Sequence, residues 1–116
     1  MATTLRVLGS IAALLVSSFP GDTSAQTYPT RSVRLIVPFA AGGPTDVIAR
    51  VVAQKLSETW GQQMVTENIP GAGGNTGVAM VGRAPADGYT MLVVSTGFIV
   101  NPSMYSKISY DPVKDF

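Results

Sequence analysis

The sequence contains neither cysteine nor histidine among its 116 residues. Without cysteine the chain can form no disulfide and offers no thiol nucleophile, and without histidine it can form no His-based catalytic triad. Metal sites built from either residue type are excluded as well, so we predict no metal site and no cofactor. Lysine, tyrosine, serine and carboxylate chemistry remain open, which narrows enzymatic function without excluding it.

Charge is also scarce, since only 13% of the residues are charged and the formal net charge is +1. The lysines and arginines are scattered singly, so no basic run indicates nucleic-acid binding. Hydrophobic residues make up 46% of the chain, which is typical of a protein with a buried core rather than a disordered one. The length allows one modest domain at most.

No hydrophobic run is long enough to cross a membrane as a helix. Residues 7–16 form a largely apolar run of ten, about half of what a hydrocarbon core of ~30 Å requires. Arg6 precedes this run, a polar turn-forming stretch follows it, and the small residues 23–25 come before Gln26. This three-part pattern predicts that residues 1–25 are a cleaved secretory signal peptide. Because no cysteine is present for a lipid anchor, we expect a periplasmic or secreted product that does not span the membrane.

Apolar runs then alternate with helical patterns in the order strand, helix, strand, helix, strand. We predict strands at 33–39, 64–68 and 89–94 and helices at 47–60 and 76–83. Short connections and right-handed crossovers favour an α/β fold with a partial doubly wound parallel sheet. In the first helix the four-residue spacing predicts a buried face, and Gly61 is placed to end the helix. That face comprises Ile48, Val52, Leu56 and Trp60, with Val51 and Ala49 beside them.

The first turn, residues 40–46, combines two glycines with a helix start. Gly42 and Gly43 allow the backbone to approach a ligand closely, and Thr45 or Asp46 is a good N-cap. A helix N-terminus supplies unpaired N–H groups and a partial positive charge, so the turn suits a small anion. The alternative is a plain strand-to-helix loop. The Asp46 carboxylate would repel an anion unless it caps inward or holds an ammonium group or water.

A second glycine turn occupies residues 71–77 and is expected to place Asn75 as the cap of the second helix. It resembles the dinucleotide fingerprint G-x-G-x-x-G, but Thr76 stands where the last glycine is required. No G-K-[ST] follows any glycine run, so a tight turn is favoured over nucleotide binding.

Ser95 and Thr96 follow the third strand and offer two hydroxyls to a polar ligand. If the first strand lies between the other two, the ligand crevice is flanked by the loops 40–46 and 95–101. No Ser-x-x-Lys motif provides a base for a serine nucleophile. Residues 101–105 and 110–116 are interpreted as connectors.

These segments together resemble the Bug-type substrate-binding proteins of the tripartite tricarboxylate transporters. The resemblance runs from Tyr28 to the last residue in the family's order and spacing. It rests on Tyr28-Pro29 and on residues 34–46 (RLIVPFAAGGPTD), 67–75 (ENIPGAGGN), 86–90 (ADGYT), 101–105 (NPSMY) and 110–116 (YDPVKDF).

The resemblance implies a periplasmic, non-enzymatic, two-domain protein of the Venus-flytrap type, a type II periplasmic-binding-protein fold. Such proteins capture small carboxylates and deliver them to the permease subunits of a membrane transporter. Residues 26–116 would then be the N-terminal part of the first lobe, truncated before the second. In the family, the loop matching residues 40–46 contributes backbone groups and ordered water to a ligand carboxylate. The ligand-binding residues implied here are Gly42, Gly43, Thr45 and Asp46, followed by Asn75, Ser95 and Thr96.

Two departures from the family pattern stand out. Ala41 precedes the glycines and Pro44 follows them, and Pro44 lacks an N–H, so one backbone donor to an anion is missing. The resemblance gives the family about three times this length, so we expect the opposite wall of the cleft to be missing from this sequence. The alternatives left open are the first half of an exported α/β enzyme and a truncated product with no stable fold.

Overall fold

The computed structural model describes residues 27–116, and the predicted signal peptide lies outside the described residues. These residues form a three-stranded parallel sheet with helices packed against it. In chain order the elements are β1 (Val33–Val37), α1 (Pro44–Trp60), β2 (Met64–Asn68), a 3-10 turn (Ala72–Gly74), α2 (Asn75–Gly82), β3 (Thr90–Leu92) and α3 (Gly97–Met104).

The predicted parallel pairing is confirmed on both sides of β1, and the sheet order is β2-β1-β3, so the first strand lies between the other two. Central β1 is buried at four of its five positions, which explains its nearly continuous apolar sequence. The strand ends at Val37, two residues earlier than predicted, because Pro38 has no N–H to donate to a ladder. The bounds predicted for β2 are confirmed, and β3 is shorter than predicted.

Helix α1 begins three residues earlier than predicted, at Pro44. The prediction that Thr45 or Asp46 is the N-cap was wrong, because Gly43 occupies that position with extended backbone angles. Proline is favoured as the first helical residue, where its missing N–H would have no helical partner in any case. The predicted terminator Gly61 is confirmed: its φ is 66°, and its N–H donates to the Ser57 carbonyl at 3.0 Å.

The predicted buried face of α1 was only partly right. Ala49 and Ala53 are buried against the sheet, with Leu56 and Trp60 partly buried beside them. Ile48 and Val52, in contrast, are 61% and 43% exposed. Two alanines one turn apart let the helix lie close to the sheet. The larger side chains of Ile48 and Val52 lie on the side of the helix and remain exposed.

Helix α2 lies directly against the carboxyl ends of the strands. A Cβ added at Gly77 would be 2.8 Å from the Ile69 carbonyl oxygen and 2.8 Å from Pro38 Cβ, so only glycine allows this approach. The N-cap of α2 is Gly74, and the expectation that Asn75 caps the helix was wrong.

Helix α3 was not predicted, since residues 101–105 were interpreted as a connector. The helix contains Pro102, whose ring removes the N–H that would bond to the Phe98 carbonyl. The hydroxyl of Tyr110 donates to that carbonyl at 3.2 Å and so satisfies it. A tertiary hydrogen bond therefore allows a helix where local sequence indicates a loop.

Within residues 27–116, no helix combines the length and apolar character needed to cross a membrane. The same residues contain no group of three acidic side chains arranged to hold a metal ion.

Candidate functional site

The loops that follow the three strands meet at one edge of the sheet, because parallel strands end on the same side. Residues 38–43 lead from β1 to α1, residues 69–74 lead from β2 to α2, and residues 93–96 lead from β3 to α3. All seven residues predicted to bind the ligand lie in these loops or in the first turns of the helices that follow them.

Glycine is favoured at position 42 because of the backbone conformation there, and not because a side chain would lack space. Its φ is +83°, a value that L-residues rarely adopt, while a Cβ built there would meet nothing within 4 Å. Its N–H donates to Oδ2 of Asp46 at 2.8 Å. The next residue, Gly43, donates to the Ala40 carbonyl at 3.4 Å, which closes the turn.

The carboxylate of Asp46 points inward and holds this loop. Asp46 is only 2% exposed. Besides the Gly42 N–H, its Oδ2 accepts a hydrogen bond from Arg50 Nε at 2.9 Å, and its Oδ1 accepts one from Asn68 Nδ2 at 2.9 Å. The Arg50 guanidinium and the other two donors favour the ionised form and lower the pKa of Asp46 to about 2.

Asn68, the last residue of β2, links the loop to the sheet. Its Nδ2 also donates to the Phe39 carbonyl at 3.0 Å, and its Oδ1 accepts from Arg50 Nη2 at 3.1 Å. Asp46, Arg50 and Asn68 therefore form a closed network that fixes the loop between β1 and α1 in one conformation. Neither Arg50 nor Asn68 was singled out from the sequence, although the four-residue spacing of Asp46 and Arg50 is a recognisable ion-pair signal.

The first turn of α1 supplies the N–H groups suited to an anion. The first intrahelical hydrogen bond runs from the Val47 N–H to the Gly43 carbonyl at 3.0 Å. The N–H groups of Thr45 and Asp46 precede that bond, and Pro44 has none, so the helix start offers two backbone donors. Thr45 is half-buried, and its hydroxyl lies in the same turn.

Asn75 is buried and engaged in a second polar network. Its Oδ1 accepts a hydrogen bond from Asn101 Nδ2 at 2.7 Å. It also lies 3.3 Å from the Tyr110 hydroxyl, whose single proton it shares with the Phe98 carbonyl. Asn101 also donates to the Gly73 carbonyl at 3.2 Å. This network joins the loop after β2 to α3. Asn101 and Tyr110 were assigned to connectors in the sequence analysis. No local sequence signal indicates that they form hydrogen bonds with Asn75.

Ser95 and Thr96 are both exposed at the end of the loop after β3. Their carbonyl groups accept N–H groups from the first turn of α3, with Phe98 donating to Ser95 at 3.1 Å and Val100 donating to Thr96 at 3.2 Å. Thr96 is the N-cap residue but makes no side-chain capping bond. Both residues thus lie at the carboxyl-end edge of the sheet and are exposed there.

A wide groove of about 590 Å³ lies away from this edge, between α1 and β2. Its lining includes Arg50, Gln54, Ser57 and Glu58 from the polar flank of α1. None of the predicted ligand-binding residues lines this groove, so it is not part of the candidate site.

Comparison with known proteins identifies the family. Residues 48–116 match the family model described as tripartite tricarboxylate transporter family receptor. The protein BugT of Bordetella pertussis is 40% identical over 117 residues, an alignment that covers 99% of this chain and 35% of that protein.

Solved structures agree with the family match. The periplasmic binding protein BugD is 47% identical with a TM-score of 0.74, over 77% of this chain and 30% of that one. An R. palustris protein solved with adipate is 44% identical with a TM-score of 0.71, over 73% of this chain and 29% of that one.

The chain therefore belongs to the receptor family of the tripartite tricarboxylate transporters. Its fold corresponds to a single lobe of the Bug-type periplasmic binding proteins. These relatives are solute-binding proteins and not enzymes, so the family membership does not support the α/β-enzyme alternative. The chain spans about a third of the length of the relatives that it matches.

Proposed function

We propose that this chain is the N-terminal part of the first lobe of an extracytoplasmic protein that binds a small carboxylate for a tripartite tricarboxylate-type transporter. In this proposal residues 1–25 direct export to the periplasm and are removed, and permease subunits in the membrane receive the ligand. Support comes from the family membership and from the related protein solved with adipate, a dicarboxylate.

The observation that carries the proposal is the network that fixes the loop after β1. Because Gly42, Arg50 and Asn68 all donate to the Asp46 carboxylate, its charge is turned inward and compensated. The helix start can then attract a carboxylate through the N–H groups of Thr45 and Asp46. Asp46 would act through its backbone N–H, with its side chain as a positioning group.

The remaining predicted contacts complete one wall of the site. The exposed hydroxyls of Ser95 and Thr96 would donate to a carboxylate oxygen, and the two glycines would let the ligand approach the backbone. Asn75 would contribute indirectly, since its amide oxygen already accepts a hydrogen bond from Asn101.

A single wall binds weakly, because a ligand held on one side remains hydrated on the other and no closure of two domains follows. We therefore expect the isolated chain to bind adipate poorly or not at all. The remaining two thirds of a relative, beyond the segment that this chain matches, should supply the opposite wall of the site.

The test uses a chimera in which residues 27–116 replace the matching segment of the R. palustris protein that was solved with adipate. Isothermal titration should show adipate binding by the chimera and none at micromolar concentration by the isolated chain. Ser95→Ala and Thr96→Val should each weaken binding by about fivefold, the effect of losing one hydrogen bond of ~1 kcal/mol. Ser106→Ala, an exposed serine outside the strand-end loops, is the control.

Micromolar binding by the isolated chain would refute the expected need for a second wall. A folded chimera whose affinity is unchanged by Ser95→Ala and Thr96→Val would refute the proposed ligand contacts.

A further inference from the structure

Two cationic side chains in residues 27–116 form no ion pair there, and both line the same cavity. Five of the seven lysines and arginines in this part of the chain are paired with carboxylates. The remaining two are Arg83, which directly follows α2, and Lys107, in the segment that follows α3. Their positive charges are therefore not compensated by any carboxylate within the described part of the chain.

The cavity lies between α2 and residues 105–109, and we call it the α2 cavity. Its volume is about 300 Å³, at the lower end of the ~300–1,000 Å³ range of small-molecule sites. The lining residues that carry a side-chain hydrogen-bond donor are Asn75, Thr76, Arg83, Tyr105, Lys107 and Ser109. The other lining residues are alanine or isoleucine, and none is acidic. A cavity with this lining suits an anion.

Asn75 is the buried residue of this wall, and the orientation of its amide group is fixed by its neighbours. Asn75 is only 9% exposed. Asn101 Nδ2 donates to the Gly73 carbonyl at 3.2 Å and approaches Asn75 to 2.7 Å, so the Asn75 atom that it meets must be the oxygen Oδ1.

The amide nitrogen of Asn75 therefore lies on the other side of the group, where it donates to no atom of residues 27–116. No fully buried side-chain nitrogen or oxygen in this part of the chain lacks a partner, so this nitrogen keeps contact with solvent. The α2 cavity, which Asn75 lines, provides that contact. A donor without a protein partner thus adds to the two cations.

Both walls of the α2 cavity are held in place by packing. Ile108 packs against the buried cluster that contains Val78 and Ala79 of α2. At the start of the same segment, the Tyr105 N–H donates to the Asn101 carbonyl at 2.9 Å. Because these contacts form the cavity without a ligand, binding requires little ordering of the chain.

We propose that the α2 cavity binds a phosphate group, either of the free ion or of a phosphate monoester. Two positive charges match a group whose charge is about −2 near neutral pH. The planar guanidinium of Arg83 suits two phosphate oxygens, and the ammonium of Lys107 supplies a second charge. Phosphate also has more oxygens than one carboxylate has, so it can accept from the neutral donors as well.

The α2 cavity is a second site beside the proposed carboxylate wall. Of the seven residues predicted to bind the carboxylate, only Asn75 lines the cavity. The phosphate proposal therefore does not require the carboxylate proposal to be correct.

Isothermal titration with inorganic phosphate in a chloride buffer tests the proposal. The full chain and the chimera with the R. palustris protein would both be titrated. Arg83→Gln and Lys107→Gln should each weaken phosphate binding by at least about tenfold, because each removes a charge-assisted hydrogen bond. Neither side chain forms a hydrogen bond within residues 27–116, so both variants should melt at the temperature of the parent.

Asn75→Asp tests the buried donor. Aspartate keeps the oxygen that Asn101 requires and places an anionic oxygen where the amide nitrogen was. Phosphate binding should therefore fall by at least about tenfold. Glycerol 3-phosphate distinguishes the two sources of the group: binding at least as tight as that of inorganic phosphate would assign the cavity to a monoester, and binding of inorganic phosphate alone would assign it to the free ion.

Lys55→Gln is the matched control, because it removes the same charge from an exposed position on α1. It should change the phosphate affinity by less than about twofold, since exposed charges far from the cavity are screened. Ser95→Ala should weaken adipate binding by the chimera and leave phosphate binding unchanged, whereas Arg83→Gln should do the reverse.

The proposal would be overturned if the folded chimera bound no phosphate at about 10 mM. A loss of affinity in Lys55→Gln as large as in Arg83→Gln would also overturn it, because the attraction would then be unspecific. Competition between adipate and phosphate, with both lost in Arg83→Gln, would make the cavity part of the carboxylate site and would equally refute a separate phosphate site. If the isolated chain does not fold, the chimera decides.

Discussion

Gly77 offers the sharpest test of how the strand ends are packed. A Cβ at this position in α2 would lie 2.8 Å from the Ile69 carbonyl oxygen, 2.8 Å from Pro38 Cβ and 3.0 Å from Pro38 Cα. Real Cβ atoms do not approach other atoms this closely, and two of the three atoms belong to the backbone. Gly77→Ala must therefore push α2 away from the loops after β1 and β2.

The net effect combines two opposing contributions. Alanine in place of glycine inside a helix raises helix stability by about 1 kcal/mol. Overpacking a buried site costs about 1–3 kcal/mol. Because backbone atoms cannot move aside as a flexible side chain can, we expect a cost near the upper end of this range. We expect Gly77→Ala to lower the free energy of unfolding by about 2 kcal/mol, which corresponds to roughly 8–16 °C in melting temperature for a domain of this size.

Gly82, in the same helix, is the matched control. A Cβ there would meet Asp115 Cβ at 3.3 Å and Phe116 Cζ at 3.4 Å, and both are atoms of exposed side chains that can shift. Gly82→Ala should therefore change stability by less than about 1 kcal/mol, and in the stabilising direction. Urea unfolding followed by circular dichroism measures both variants. A Gly77→Ala variant as stable as the parent chain would refute the packing argument, and no cooperative transition in the parent would favour the view that the chain has no stable fold.

Three further variants test the polar networks. Tyr110→Phe removes the donor to the Phe98 carbonyl and to Asn75 Oδ1, so it should lower stability by about 1 kcal/mol in urea unfolding; no loss would mean that this donor is dispensable. Asp46 has a folded-state pKa of about 2 against its ordinary 3.8, so the ionised carboxylate stabilises the fold fully above about pH 4 and less as the pH falls through about 2. The stability difference between the parent and Asp46→Asn should therefore shrink over that range, and a pH-independent difference would contradict the network. Gly42→Ala should cost about 1–2 kcal/mol through its positive φ, as unfolding in urea would show, and a neutral result would mean that the loop can change its conformation.

The parallel sheet was predictable because its signals are local. The sequence of β1 is apolar at four of its five positions, and Gly61 marks a helix end by a conformation that glycine adopts easily. The central position of β1 also agrees with its burial on both faces.

The orientation of α1 was not predictable, because two residue pairs with the same four-residue spacing compete for the buried face. Hydrophobicity favours Ile48 and Val52, but the structure buries Ala49 and Ala53. The hydrogen bond between Arg50 and Asn68, 18 residues apart, helps to fix the orientation of the helix, and periodicity carries no information about it. Helix α3 was missed for a similar reason, since Pro102 indicates a loop until the distant Tyr110 hydroxyl is considered.

The position of Asp46 explains how an acidic residue can stand at a site proposed for anions. An exposed carboxylate in the first turn of α1 would repel a carboxylate ligand, although it would suit the helix dipole. Here the carboxylate is buried and receives three donors, one of them the Arg50 guanidinium. The group thus serves as the rigid support of the loop, and in the proposed site the attraction for a ligand would come from two N–H groups, because Pro44 has none. Two neutral donors and a few hydroxyls bind an anion only weakly in water, so selective capture by the proposed site would require a second wall that excludes water.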